Sequence, residues 1–407
     1  MLRISACTVL VLAGACVRPQ SQGPQPAASR WLATWIASPS DAPPRPPRDS
    51  IDRTPTLFDQ TIRLIVRTSI GGDSVRIRLS NEYGDRPLVI GAAHIAVRGA
   101  GAGIDASTDR TLTFGGLPTV RLRPGAIVFS DPVAAAVPAL RDLAISLHLA
   151  DSARLTTRHP LALQTNYVRR GNAAGAREFA PDTSIYVWPF LVGVDVTNSA
   201  ATGVIVAIGN SITDGALSTR DANTRWPNIL AERLLDSREP MKAVVNAGIS
   251  GGRVLTYGAG PSALARFDRD VLMTPGLTHV ILLEGINDIG RSGVDGVTAE
   301  DIIAGYRQLI VRAHDRGIVI IGATLTPASP RAPFTAAFEA KRALVNAFVR
   351  SSGEFDAVID FDAATRDPAN PLQFLQTYDS GDHLHPGDAG YRAMGAAIDL
   401  AIFRRRR

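Results

Sequence analysis

Cysteine is almost missing from this chain of 407 residues: there are two, Cys7 and Cys16, both near the N-terminus, so no disulfide can brace a folded body. Long hydrophobic runs are missing too. After the apolar stretch from Ile4 to Ala15, no segment reaches the ~18 apolar residues a transmembrane helix requires. Interior charge excess is equally absent. The formal net charge is +5, but Arg404, Arg405, Arg406 and Arg407 supply four of those charges and Arg3 lies in the N-terminal segment. With no basic stripe and no nucleic-acid motif, nucleic acid is excluded as an expected partner. No internal repeat crosses the two halves. What remains is 45% hydrophobic and 20% charged with 36 Gly and 27 Pro, a globular chain long enough for two or three domains and unlike a disordered one.

The chain opens with one Arg, an apolar run and small residues, the pattern of a secretory signal peptide over residues 1–15. Cys16 directly follows Leu12-Ala13-Gly14-Ala15, which resembles a bacterial lipobox and implies lipidation at Cys16. Acyl chains there would anchor an exported protein to an envelope membrane without spanning it. Otherwise the product would be periplasmic or extracellular. Residues 16–30 are rich in Gln, Ser, Pro, Gly and Ala and read as a flexible tether. Trp31 and Trp35 then suggest a docked entry segment, followed by a Pro-rich stretch from Pro39 to Pro47.

Residues 31–200 read as a β-sandwich or jelly-roll domain. Runs such as Thr61 to Arg67 and Ser74 to Leu79 alternate apolar and polar residues, the period of half-buried strands. About eight such runs occur without a long helical pattern. From residue 201 to 407 the pattern changes. Nearly continuous aliphatic runs at Gly203 to Gly209, Ala243 to Ala247, His279 to Leu283, Ile318 to Thr324 and Val358 to Phe361 suggest strands buried on both faces. Helical patterns near Trp226 to Leu235, Ala263 to Val271, Ala299 to Asp315, Ala336 to Arg350 and Gly387 to Phe403 separate or follow them. The expectation is an α/β domain with a flavodoxin-like, doubly wound parallel sheet.

Reactive groups in such a sheet collect beyond the carboxyl ends of its strands. Four runs lead into candidates: Gly209-Asn210-Ser211-Ile212-Thr213-Asp214-Gly215, Asn246-Ala247-Gly248-Ile249-Ser250-Gly251-Gly252, Glu284-Gly285-Ile286-Asn287-Asp288, and Asp382-His383-Leu384-His385-Pro386. Taken in order, these blocks resemble the SGNH (GDSL-type) hydrolases, whose blocks centre on Ser, Gly, Asn and His. The resemblance spans residue 203 to about 400. It implies Ser211 as nucleophile, Asp382 and His385 as the rest of a triad, and the Ser211 and Gly251 amides with the Asn287 side chain as an oxyanion hole. The chemistry asks for such a set. A serine hydroxyl needs an imidazole to take its proton, and the imidazole needs a carboxylate to fix its tautomer.

Rival readings exist for several of these residues. Gly248-Ile249-Ser250-Gly251-Gly252 also fits a Gly-x-Ser-x-Gly elbow with Ser250 as nucleophile, although a loop rather than a helix follows it. His383 could join Asp379, Asp382 and Asp388 around a metal, but no matching ligand spacing occurs elsewhere. No metal or other cofactor is expected. Asn210 stands where the family has Asp, keeping one acceptor oxygen without the charge. Glu284 reads as a hydrogen-bonded core carboxylate and His279 as a surface or hydrogen-bonded residue. His94, His148 and His159 carry no assignable chemistry.

The expected activity is a secreted serine esterase working through an acyl-enzyme, its partner a small-molecule or polysaccharide ester substrate, with deacetylation of a carbohydrate first. A general short-chain carboxylesterase or lipid esterase is the second reading. A non-catalytic glycan-binding protein is the alternative of another class.

Overall fold

The computed structural model describes residues 30–41, 55–290, 296–329 and 335–404. The predicted signal peptide, Cys16 and the tether up to residue 29 lie outside the described residues.

The strand-rich half folds into two large antiparallel sheets and two small two-stranded ones. One large sheet carries Trp31–Ile36, Leu191–Thr197, Gly72–Ser80 and Ile127–Phe129 in that order, with Val133–Val137 also on Gly72–Ser80. The other runs Thr183–Ile185, Asn166–Arg170, Gln60–Arg67, Asp142–Leu149, Leu88–Val97 and Arg110–Leu112, with Val120–Leu122 beside Leu88–Val97. Alternation does its work in Gly72–Ser80, where Val75, Ile77 and Leu79 are wholly buried while Ser74, Arg76 and Arg78 face the other way.

The central strand Gln60–Arg67 departs from that simple picture, because Thr61, Arg63 and Ile65 are as buried as Ile62, Leu64 and Val66. Loops cover the sheet's outer face. They supply carbonyls that satisfy the Arg63 guanidinium, from Ala102 at 2.7 Å, Ala174 at 3.1 Å and Ala176 at 2.9 Å, and Ser146 Oγ accepts at 2.8 Å. A charged residue in the alternating pattern therefore marks a second, polar interior rather than solvent.

The second half holds a five-stranded parallel sheet in the order Lys242–Gly248, Gly203–Gly209, Leu277–Leu283, Val319–Ala323, Ala357–Ile359. This is the 2-1-3-4-5 order of a flavodoxin-like sheet. Every residue of Gly203–Gly209 is buried, as its unbroken aliphatic run requires. Helices Trp226–Asp236, Ala299–His314, Ala336–Ser351 and Asp388–Ala397 flank it. Ala299–His314 starts from a capping box in which Thr298 and Asp301 satisfy each other's backbone amides. Two expected helices are shorter than their patterns. Ala263–Phe267 passes into a wider turn over Asp268–Leu272, and the last helix stops at Ala397, where Ile398 turns extended before a 3-10 turn at Leu400–Arg404. Among the described residues no helix is long and apolar enough to cross a membrane.

The expected entry segment is a strand. Trp31–Ile36 pairs with Leu191–Thr197 and lies against Lys242–Gly248, the edge strand of the parallel sheet. Ala33 N–H donates to Pro275 O at 3.0 Å, and Val244 N–H donates to Ser69 Oγ at 3.2 Å. One hydrophobic core runs through both halves as a result.

Candidate active site

At the end of the first parallel strand the chain must turn sharply under Leu283. A side chain on Gly209 would put its Cβ 2.4 Å from Leu283 O and 2.2 Å from Thr213 Oγ1, so only glycine fits. Asn210 then caps the short helix Ser211–Asp214 by accepting the Ile212 N–H at 3.0 Å, and Gly215 ends it at φ +97°. Asn thus performs the capping that the family's Asp would perform, while its Nδ2 stays buried with no partner among the described residues. Ser211, 8% exposed, sits in the first turn with its hydroxyl toward the loop after residue 379.

That loop is organised by Asp382. Its Oδ1 accepts the N–H groups of Leu384 at 3.0 Å and His385 at 2.8 Å, and its Oδ2 lies 2.7 Å from His385 Nδ1. His385 Nε2 is 2.8 Å from Ser211 Oγ. With a carboxylate holding Nδ1–H, the Nε2 lone pair is turned to the serine hydroxyl. Burial pushes Asp382 upward, but the His385 and Leu384 amides and the His385 ring outweigh it and hold the carboxyl well below the usual carboxylate range. His383 takes no part in this line. It is exposed, adopts φ +60° and places Nδ1 2.5 Å from Asp379 Oδ2.

The second and third blocks meet each other. Gly251, at φ +79°, lies in a turn closed by the Gly252 N–H to Ile249 O bond at 2.8 Å. Asn287, on the short helix Ile286–Gly290, donates one side-chain N–H to Gly252 O at 2.9 Å, which orients the amide beside that turn and leaves its other N–H available. Asp288 accepts the Val254 and Leu255 amides at 2.9 and 3.1 Å. Burial raises its pKa above the ordinary value despite those bonds.

Ser250 Oγ donates to Asp214 Oδ2 at 2.7 Å, and Ser250 N–H donates to the same oxygen at 2.9 Å. The rival serine is thus engaged by a carboxylate. No group of three or more His, Cys, Asp or Glu able to hold a metal occurs among the described residues.

Beneath the site lies a charged layer that the sequence does not announce. Arg266, 1% exposed, donates to Ala247 O at 2.5 Å and Gly209 O at 3.0 Å, joining the carboxyl ends of the strands that carry the Gly251 and Ser211 turns. Glu284 is wholly buried, but neither carboxyl oxygen has a hydrogen-bond partner among the described residues, contrary to the expected bonded core carboxylate. Arg266 Nη2 lies 3.8 Å away and donates to Gly209 O instead. Burial therefore pushes the Glu284 carboxyl up to about 8, and it is neutral at pH 7. His279 is buried too, with Nδ1 2.8 Å from Thr278 Oγ1 and its ring against Phe403. From the strand-rich half, His159 reaches Asp214 Oδ1 at 2.9 Å. Asp214 was visible within the first motif. His159 and Arg266 had no local signal, because their partners lie 55 and 57 positions away in the chain.

Residues 207–393 match the GDSL-like Lipase/Acylhydrolase family. Among solved structures, a GDSL-like lipase from Bacteroides thetaiotaomicron is 20% identical, covering 50% of this chain and 89% of its own with a TM-score of 0.38. An alpha/beta hydrolase from the metagenome of Lake Arreo is 23% identical over 50% of this chain and 95% of its own, TM-score 0.39. An acetylxylan esterase from Geobacillus stearothermophilus is 22% identical over 49% and 93%, TM-score 0.37. No curated protein matches the chain. Residues 207–393 therefore form a GDSL-like lipase/acylhydrolase domain, which makes the protein a serine ester hydrolase.

Proposed function

We propose that this protein is an exported esterase in which Ser211 attacks the ester carbonyl, with carbohydrate acetyl groups as substrate. The observation that carries the catalytic part is the line Asp382–His385–Ser211, with contacts of 2.7 and 2.8 Å. His385 Nε2 takes the Ser211 proton as Oγ bonds to the carbonyl carbon. The oxygen that gains the charge is met by the Ser211 and Gly251 amides and the free N–H of Asn287. Collapse expels the alcohol, which receives the proton from His385, and leaves an acyl-Ser211 ester. Water then gives its proton to His385 and attacks the acyl carbon, which releases the acid and restores Ser211.

Support for a sugar substrate is the Tyr257 ring. It is 52% exposed and held by Asp41, in a loop where a Cβ on the adjacent Gly258 would lie 2.4 Å from Gly251 O. An aromatic face beside the oxyanion turn offers a platform for a pyranose ring. Export and lipidation at Cys16 rest on the N-terminal sequence pattern.

The catalytic reading is tested with p-nitrophenyl acetate. Turnover that Ser211→Ala abolishes supports it, and equal background rates in both proteins favour the glycan-binding alternative. Acetate release from acetylated xylan or pectin, faster than hydrolysis of aryl and lipid esters, supports the substrate class. The reverse order assigns a general short-chain or lipid esterase. Incorporation of labelled palmitate that Cys16→Ser abolishes tests the anchor, and no incorporation removes it.

A further inference from the structure

His159 belongs to the strand-rich half, in the two-residue strand Arg158–His159 paired with Trp188–Pro189. Its ring is buried and tilted against Trp188, with centroids 5.6 Å apart. Nδ1 lies 3.0 Å from Ser38 O, and Nε2 lies 2.9 Å from Asp214 Oδ1. A carbonyl oxygen only accepts, and so does a carboxylate oxygen. A ring bonded to both carries a proton on each nitrogen, which makes it an imidazolium. The other carboxylate oxygen of Asp214 accepts both donors of Ser250, the residue before Gly251. Asp214 itself closes the helix that Ser211 opens. One buried carboxylate thus ties the nucleophile turn to the oxyanion turn, and the cation that neutralises it comes from the other half of the molecule.

We propose that His159 is a positioning residue of the esterase site, an imidazolium that clamps Asp214 and thereby sets the Ser211 hydroxyl and the Gly251 amide relative to each other. This rests on the function proposed above and assigns the strand-rich half a part in the chemistry. Other charged and titratable groups around the ring fit the arrangement. Arg225, at the start of the helix Trp226–Asp236, donates Nε to Asp214 O at 2.7 Å and its Nη2 to Ala162 O, and its charge opposes that of the ring. Tyr391, from Asp388–Ala397, donates its hydroxyl to Ala216 O at 2.7 Å. Arg67, on the rim of the small cavity beside the ring, faces Asp142 at 3.5 Å and Glu232 at 3.8 Å. Arg158 is the ring's charged chain neighbour, near Asp41. Asp214 is the anion in contact with the ring. Burial disfavours the ring's charge, but Asp214 and the Ser38 carbonyl outweigh it and raise its pKa.

The sign follows. A raised folded-state pKa means that the clamp is complete in acid and lost as pH rises through that value. Loss of the proton leaves Nε2–H toward Asp214 but a lone pair on Nδ1 facing the Ser38 carbonyl, and it removes the charge that neutralises Asp214, which loosens the hold on the two turns.

The test compares wild type, His159→Leu and His159→Gln in the full chain, with folding checked by circular dichroism. For His159→Leu, kcat/KM on p-nitrophenyl acetate should fall roughly 10- to 100-fold, the size expected when one oxyanion donor is misplaced. His159→Gln, which can still donate to Asp214, should recover part of that loss and lack an alkaline limb that wild type shows. Unchanged kcat/KM in folded His159→Leu, or the same alkaline limb in His159→Gln, overturns the proposal. If both variants fail to fold, Ser250→Ala keeps the His159–Asp214 pair while loosening the oxyanion turn. It should lower kcat/KM several-fold, and no change counts against the clamp. The ring can also be read without turnover. Nitrogen-15 NMR of the wild-type histidines should show both His159 nitrogens protonated at pH 7, and a neutral ring overturns the proposal even if the esterase reading stands. Absence of turnover in wild type, with the imidazolium present, instead sinks the esterase reading alone.

Discussion

Replacing Glu284 by Gln changes one hydrogen-bonding group and removes a proton equilibrium from the centre of the molecule. In the folded protein the carboxyl holds its proton up to about pH 8, whereas the unfolded chain releases it near its ordinary value of 4.5. Between those values the native state binds a proton that the unfolded state does not. Wild-type stability therefore falls as pH rises through this window and levels off above it. Each pH unit is worth about 1.4 kcal/mol, so between pH 5 and pH 8 the wild type should lose roughly 3 to 4 kcal/mol relative to Glu284→Gln. The Gln amide needs an acceptor in a site where neither Glu284 oxygen has a hydrogen-bond partner among the described residues, at a cost of about 1 to 3 kcal/mol. That cost does not vary with pH and leaves the divergence intact. Urea unfolding of both proteins at pH 5, 6, 7 and 8, followed by circular dichroism, reads the difference directly, since other titrations cancel. Parallel stability curves would refute the reasoning and show that Glu284 is ionised and paired with Arg266.

Three further changes probe the site. Asn287→Ala should lower kcat/KM on p-nitrophenyl acetate by about 10²- to 10³-fold with little loss of stability, and an effect under threefold argues against an oxyanion role. Asp382→Asn should drop kcat by roughly 10⁴-fold, because the amide no longer fixes the His385 tautomer, as steady-state kinetics will show. Asn210→Ala removes the cap on the Ser211 turn and should cost about 1 to 2 kcal/mol in urea unfolding, and Asn210→Asp should restore the cap.

The doubly wound sheet was legible because burial on both faces favours an unbroken apolar run, and Gly203–Gly209 contains no polar side chain. The chemistry-bearing turns were legible for a related reason, since each follows directly on such a strand or, for Asp382 and His385, on a short polar loop. The structure brings Ser211, Asp382 and His385 into one hydrogen-bonded line. Period two identified the sandwich strands but misplaces Arg63, whose burial depends on loops about 40 and 110 positions away that cap the sheet's outer face. His159 and Arg266 were illegible for the same cause, whereas the burial of Glu284 was legible at the end of its aliphatic run and only its lack of hydrogen-bond partners among the described residues was not. Whether a charged side chain ends in water or under another element is decided by packing across the chain, and nothing in its neighbours encodes it.

The parallel sheet would end at Lys242–Gly248 with an open row of backbone groups, a template onto which any extended chain could zip. Trp31–Ile36 and Ser69 occupy that border. A fragment cut at residue 201 to isolate the hydrolase would uncover it together with the buried Val244 and Val245 side chains of that strand, and should self-associate rather than behave as a free-standing enzyme. The sandwich is therefore the guard on a sticky margin, and the two halves should melt as one cooperative body.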